Sequence, residues 1–134
     1  MSKNKSNLKI YCISHKYIKE LDKLNLNIIG SGAHKRKFPK KWLNDSMGQK
    51  HISKKNLNYG TLTSIYWIWK NHIKYLKQDD YIGICHYRRF WLKKNHDKKI
   101  GLNNLKKNLL SNIPYKYNKF DAFVCSPQSL KGYK

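Results

Sequence analysis

The sequence predicts an α/β fold, a mostly parallel sheet flanked by helices, and three observations carry that prediction. Two short β-rich runs at 8–14 and 26–29 bracket a helix-like segment at 17–24, which is the β-α-β order of parallel pairing. A long helical periodicity follows at 61–76, and a third apolar run at 81–85 comes directly after it. With 134 residues, one domain spanning 1–134 is expected. A chain of that size buries about two-thirds of its unfolded surface, enough for one modest core.

Taken in order, residues 8–14 read as the first strand, with His15 and Lys16 at its C-terminal end. Tyr17, Ile18, Leu21 and Leu24 then fall at helical spacing, and 26–29 forms a second strand ending at Gly30-Ser31-Gly32. Residues 31–58 are polar and irregular, with Phe38, Trp42 and Met47 as isolated apolar anchors. A loop this long in a small domain is more often functional than idle. In the segment 61–76, Leu62, Ile65, Tyr66, Trp69, Ile73 and Leu76 trace one helix face, read most simply as core. Asn58 is its expected N-cap, and Gln78-Asp79-Asp80 its end. The run 81–85 is a buried strand that delivers His86-Tyr87-Arg88-Arg89, 100–110 is a weaker amphipathic helix, and 120–125 is a last strand stopped by Ser126-Pro127.

The chain carries 29 Lys+Arg against 7 Asp+Glu, a formal net charge of +22. Such a balance suits phosphate binding, but the make-up weakens that inference. Arginine occurs only at 36, 88 and 89, and the lysines spread along the whole chain together with a large excess of Asn and Ile. That is what an A+T-rich coding sequence produces, so the charge is permissive rather than decisive. An apolar fraction of 40% is too high for a disordered chain. No apolar run approaches the roughly 18 residues of a membrane span, and no signal-peptide core is evident. A cytosolic protein is expected, with Lys charge suited to peripheral contact with an anionic membrane face. Cys12, Cys85 and Cys125 each sit in an apolar strand-like stretch and read as buried reduced thiols.

Ligands of open α/β sheets bind beyond the carboxyl ends of the strands. His15, Gly30-Ser31-Gly32, His86 to Arg89 and Ser126 would lie on that rim. Two of the three arginines adjoin here, and their planar forks suit carboxylates and phosphates in a way a generic Lys excess does not. A surface pair bonded to a helix end is the plainer alternative. His86 can act as a general base, donate a hydrogen bond to a phosphate, or simply pack. A second face of the 61–76 helix offers Thr63, Ser64, Trp67, Lys70 and Asn71 to a ligand, although Trp67 is equally a packing residue. Phosphate loops, dinucleotide fingerprints and paired zinc spacings are missing from the sequence. An Asp-x-Asp metal-nucleotide motif is missing too.

Several blocks occur in order: Lys9-Ile10-Tyr11 with Ser14-His15-Lys16, Gly30-Ser31-Gly32-Ala33, Ile52-Ser53-Lys54-Lys55-Asn56, Tyr66-Trp67-Ile68-Trp69-Lys70-Asn71, and Gly83-Ile84-Cys85-His86-Tyr87-Arg88-Arg89-Phe90. Over nearly its whole length the chain resembles the bacterial polysaccharide-biosynthesis glycosyltransferase family that carries the domain of unknown function 4422. The resemblance implies a GT-A-like, Rossmann-like fold, here the N-terminal donor-binding half. It implies transfer of a sugar from a nucleotide-sugar donor to a glycan or lipid-linked acceptor of capsule, exopolysaccharide or lipopolysaccharide. On it, the donor and its phosphates are assigned to Arg88, Arg89, Tyr87, His15, Lys70, Asn71 and Thr63, and catalysis to His86. No metal ligands are assigned, and a divalent metal as cofactor is left open. The sequence departs from the family pattern at Thr61, where relatives carry Glu, and at Gly48-Gln49-Lys50-His51, where they carry an acidic Gly-Asp-Asn element. It also stops where such transferases continue into an acceptor-binding half, so a truncated frame is expected.

Two other readings stay open. One is a basic nucleic-acid-binding module using Lys charge and Tyr/Trp stacking, although the lysines form no single stripe. The other is an inactive remnant that binds a partner transferase or a membrane surface.

Overall fold

The computed structural model describes residues 7–94 and 99–125. Its centre is a four-stranded sheet of β1 (Leu8–Ser14), β2 (Asn27–Gly30), β3 (Leu43–Asn44) and β4 (Tyr81–His86), in the order β3-β2-β1-β4. All three pairings are parallel, with Cys12 opposite Ile28 on one side and Cys85 on the other. β1 is central and flanked on both sides, so it reads as a continuous apolar run whose residues 10–14 are all buried. Gly83 fits this close packing, because a Cβ there would come within 2.9 Å of the Ile10 side chain.

The pleat sends alternate side chains to two cores. Ile10, Cys12, Ile28 and Cys85 join Leu21, Leu24, Trp42 and Leu109 on one face. Tyr11 and Ile29 meet Trp67 and Ile68 on the other. The second core is the contact with α2 (Leu62–Asn71), which follows a short α1 (Asn56–Tyr59). The first core is closed by α3 (Leu102–Asn108) and by the 3-10 turn Lys19–Lys23.

The α/β class and parallel sheet hold, but several local expectations do not. The 17–24 segment forms only the 3-10 turn, pinned by Leu24 N–H to the Leu21 carbonyl. Residues 31–58 are not uniformly irregular: they contain β3, a 3-10 turn at Ser53–Lys55 and α1. Trp42 is buried with its indole N–H on Asp22, whereas Met47 is exposed. The long helix stops at Asn71, with a separate 3-10 turn at Ile73–Tyr75, and Asn58 lies inside α1 instead of capping α2.

The expected core stripe is reversed. Leu62, Trp69 and Ile73 are 54%, 55% and 43% exposed, while Thr63, Ser64, Trp67 and Ile68 are buried. The reason is the surface α2 meets: polar groups at its start and the Tyr11/Ile29 patch along its length select hydroxyls and Trp67/Ile68. Residues 120–125 form no strand, and Cys125 is exposed, unlike Cys12 and Cys85. Ser126 and Pro127 lie outside the described residues.

Candidate functional site: a cationic rim at the strand ends

Beyond its last residue, β4 turns sharply. His86 and Arg89 exchange backbone hydrogen bonds (His86 N–H to Arg89 O, 3.2 Å; Arg89 N–H to His86 O, 2.9 Å), leaving Tyr87 and Arg88 at the tip. The Tyr87 N–H reaches the Ile13 carbonyl, which fixes this turn against the end of β1. The Tyr87 ring becomes a hub. His15 packs edge-on against it at 5.0 Å and 78°, with its Nε2 3.4 Å from the Tyr87 hydroxyl. The Arg88 guanidinium stands 5.0 Å from the ring centroid and the Lys16 ammonium 5.7 Å. Arg–aromatic stacking holds a cation in place while leaving its N–H groups free for another partner.

A third cation reaches the same rim from the loop after β2. Ser31 N–H bonds the Ser14 carbonyl, joining the ends of β2 and β1. Gly32 then adopts φ +75°, a left-handed conformation that a side chain would strain. The Lys35 and Arg36 N–H groups both return to the Gly32 carbonyl, and the Arg36 guanidinium is held by the Ser31 carbonyl (3.1 Å) and Asn56 Oδ1 (3.0 Å).

Underneath lies a buried polar cluster centred on Asp45, fully buried just past β3. Its Oδ2 accepts from Gly32 N–H (2.8 Å) and the Thr63 hydroxyl, and its Oδ1 from Ala33 N–H (2.9 Å) and the Ser53 hydroxyl (2.7 Å). Asn56 extends the cluster through its amide N–H groups to Ser31 Oγ, Thr63 Oγ1 and the Gly60 carbonyl. Four chain segments are thus fixed about one carboxylate, and Arg36 is carried on the result.

The electrostatic consequence appears at His15. Desolvation, followed by the charges of Arg36, Lys16, Arg88 and His86, holds its pKa below the usual imidazole value. These groups of one sign converge where the strands end, an arrangement that suits an anion bearing several oxygens.

The site residues expected from sequence therefore divide. His15, His86, Tyr87 and Arg88 meet at the rim, and Arg89 follows in the same turn through its backbone bonds to His86. Thr63 is fully buried and bonded to Asp45, so it faces the interior. Trp67, considered for stacking on a ligand, is buried with its indole N–H on the Met47 carbonyl. Asn71 binds the Lys50 and Trp67 carbonyls, and Lys70 lies 3.5 Å over the Trp69 ring on the outer side of α2. Neither of the last two contacts the rim. Lys16, Arg36, Asp45 and Asn56 are not among the site residues the sequence predicts, although Lys16 is expected at the end of the first strand. For Arg36 a signal existed, since it is one of three arginines in a lysine-rich chain. Asn56 lies in one of the blocks that carry the family resemblance, whereas Asp45 gave no signal, and the role of both depends on contacts between distant segments.

Among the described residues no group of three or more His, Cys, Asp or Glu side chains could hold a metal ion. A cleft of about 740 Å³ opens elsewhere, lined by Leu8, Tyr81, Trp91, Leu110 and Phe123 among others, and includes none of the rim residues.

Residues 9–131 match the family described as "Domain of unknown function (DUF4422)". The chain belongs to the DUF4422 family. Among solved structures, this DUF4422 chain is similar to the apo structure of WbbM, a bifunctional glycosyltransferase, with 28% identity and a TM-score of 0.52. The match covers 71% of this chain and 16% of that one. The likeness and the flanked parallel sheet make the fold GT-A-like. No curated protein matches the chain.

Proposed function

We propose that this chain is the nucleotide-sugar-binding part of a glycosyltransferase and that its strand-end rim holds the donor diphosphate. The observation that carries the reading is the convergence of Lys16, Arg36 and Arg88 on His15, which packs with Lys16 and Arg88 against Tyr87 at the C-terminal ends of parallel strands, in a chain whose fold resembles part of a glycosyltransferase. Glycosyl transfer from a nucleotide sugar leaves a nucleoside diphosphate whose charge grows as the glycosidic bond breaks. Preorganised cations offset that charge. In this reading Arg88 and Arg36 supply N–H forks, Lys16 a mobile ammonium, and Arg89 a further cation. Tyr87 positions Arg88 and His15, and His86 donates a hydrogen bond to a phosphate oxygen. Thr63, Lys70 and Asn71 take no part in phosphate contact. The acceptor is a glycan or lipid-linked glycan of a surface polysaccharide.

Calorimetry tests the reading with UDP-, GDP- and CMP-sugars set against an oligonucleotide. One nucleotide sugar should bind, and Arg88→Ala should weaken it between about tenfold and a hundredfold, the value of one charge-assisted hydrogen bond of ~1.5–3 kcal/mol. Binding of the oligonucleotide alone, with a steep salt dependence, would favour the nucleic-acid reading and overturn this one.

A further inference from the structure

The outer face of α2 is apolar, with Leu62 and Trp69 exposed and Ile65 and Tyr66 half-buried. At 100° per residue, Thr63, Ser64, Trp67, Ile68 and Asn71 cluster on the side that meets the sheet. Leu62, Ile65, Tyr66 and Trp69 occupy the opposite side. Ile73 and Tyr75 of the following 3-10 turn, 43% and 73% exposed, add to the exposed apolar surface. A helix with one buried face ordinarily turns charge outward. Here three apolar side chains, Leu62, Trp69 and Ile73, are each two-fifths or more exposed. Contiguous exposed apolar surface of this kind marks an interaction site.

The charge around the stripe decides among occupants. Lys70, Lys74 and Lys77 lie on or just beyond it, and two of them already fold over its aromatic rings. The Lys70 ammonium is 3.5 Å from the Trp69 centroid and 5.7 Å from that of Tyr66, and that of Lys74 is 4.8 Å from Tyr75. Asp79 and Asp80 are the nearby acids, and the Asp80 carboxylate is occupied by the Asn7 and Lys77 N–H groups. A second copy docked face to face would set these lysines against one another in a chain of net charge +22. A bilayer with anionic headgroups instead offers an apolar phase for Leu62, Trp69 and Ile73 and negative charge for the lysines. Trp and Tyr favour that boundary, and Lys stems reach out of it.

We infer that the outer face of α2, through Leu62, Trp69, Ile73 and the flanking Lys74 and Lys77, docks on an anionic membrane surface. The inference stands apart from the donor-site proposal, because none of these side chains belongs to the rim.

Flotation of the full chain with phosphatidylcholine vesicles, with and without phosphatidylglycerol, tests it. Binding should require phosphatidylglycerol. The Trp69→Ser/Ile73→Ser double variant and, separately, Lys74→Glu/Lys77→Glu should each lower the partition coefficient about tenfold or more. The vesicle-induced blue shift of tryptophan emission should vanish in Trp69→Phe, a variant that keeps the apolar ring and the binding. All these side chains point outward, so far-UV circular dichroism should be unchanged. Nucleotide-sugar affinity should be unchanged as well, which separates failure of this inference from failure of the donor-site reading. Absence of binding by the unaltered chain overturns the inference, as does equal binding by both double variants. A dimer in sedimentation that Trp69→Ser/Ile73→Ser dissociates would assign the face to a second copy and overturn it too.

Discussion

Replacing Asp45 should be among the most damaging single changes in this chain, and the effect can be worked from its contacts. Its two oxygens accept four hydrogen bonds, from Gly32 N–H, Ala33 N–H, Ser53 Oγ and Thr63 Oγ1. In Asp45→Ala, Thr63 can turn its proton wholly to the Gly60 carbonyl at 3.0 Å, but the two backbone N–H groups cannot rotate away. Each buried donor left unmet costs about 1–3 kcal/mol, so the loss is about 2–6 kcal/mol from a stability that for most domains is ~5–15 kcal/mol. Asp45→Asn is the sharper test. Either placement of the new NH2 faces one backbone N–H, that of Ala33 or of Gly32, so one donor–donor clash is unavoidable. Against this, Asn removes the cost of burying a carboxylate that has no cationic partner within ion-pair distance among the described residues. Four good hydrogen bonds offset most of that cost in the folded chain, so the clash should dominate and Asn should cost about 1–3 kcal/mol. In urea titrations, with slopes of ~1–3 kcal/mol per molar, both variants should show lower midpoints at an unchanged slope, Ala more than Asn. An Asn variant as stable as the unaltered chain would show that the buried charge outweighs the network, and the reasoning would fail.

Other perturbations separate parts of the account. Gly32→Ala must place a Cβ 2.2 Å from an Arg36 nitrogen and 2.6 Å from Asn56 Oδ1 at φ +75°, so it should lower the urea midpoint and weaken donor binding together, and undiminished affinity would detach Arg36 from the site. Ser64 is fully buried with its hydroxyl unpartnered, so Ser64→Ala should leave the midpoint unchanged or raise it slightly, by about 0–1 kcal/mol. The pH dependence follows from His15 and His72, whose pKa values are both lowered, chiefly by desolvation. The unfolded chain then binds more protons than the folded one as pH falls through the ordinary imidazole value of ~6.5, so these two groups contribute stability above that pH and lose it below. Comparing urea midpoints on either side of it for the unaltered chain and His72→Phe should show a smaller acid loss in the variant.

The sheet was legible because parallel strands are apolar runs, as in the buried Ile10 to Ile13 and in Tyr81 to Cys85, which is expected to be buried but lies at the sheet edge with only Cys85 buried, and because the chemistry sits where strands end. The helix at 62–71 was legible as a helix but not in orientation. Periodicity finds an apolar face, and here the face that packs is the one with Thr63, Ser64, Trp67 and Ile68. β3 is two residues long, too short to leave a pattern, and it exists because Ile29 and Gly30 pair with Leu43 and Asn44. The rim itself was half visible. His15 and Tyr87 to Arg89 lie in their own strand-end motifs, whereas Arg36 joins them only through a left-handed glycine and a carboxylate from another segment.

The central claim is that a diphosphate sits among the rim cations, and the protonation of His15 reports on it directly. Followed by NMR across pH, the His15 imidazole should titrate below the usual ~6.5 in the free chain, because desolvation first and the neighbouring cations second oppose its charge. Saturating UDP or GDP should raise that pKa, since a bound diphosphate favours the imidazolium, and Arg88→Ala should reduce the rise. A His15 titration that no nucleoside diphosphate moves would contradict the account.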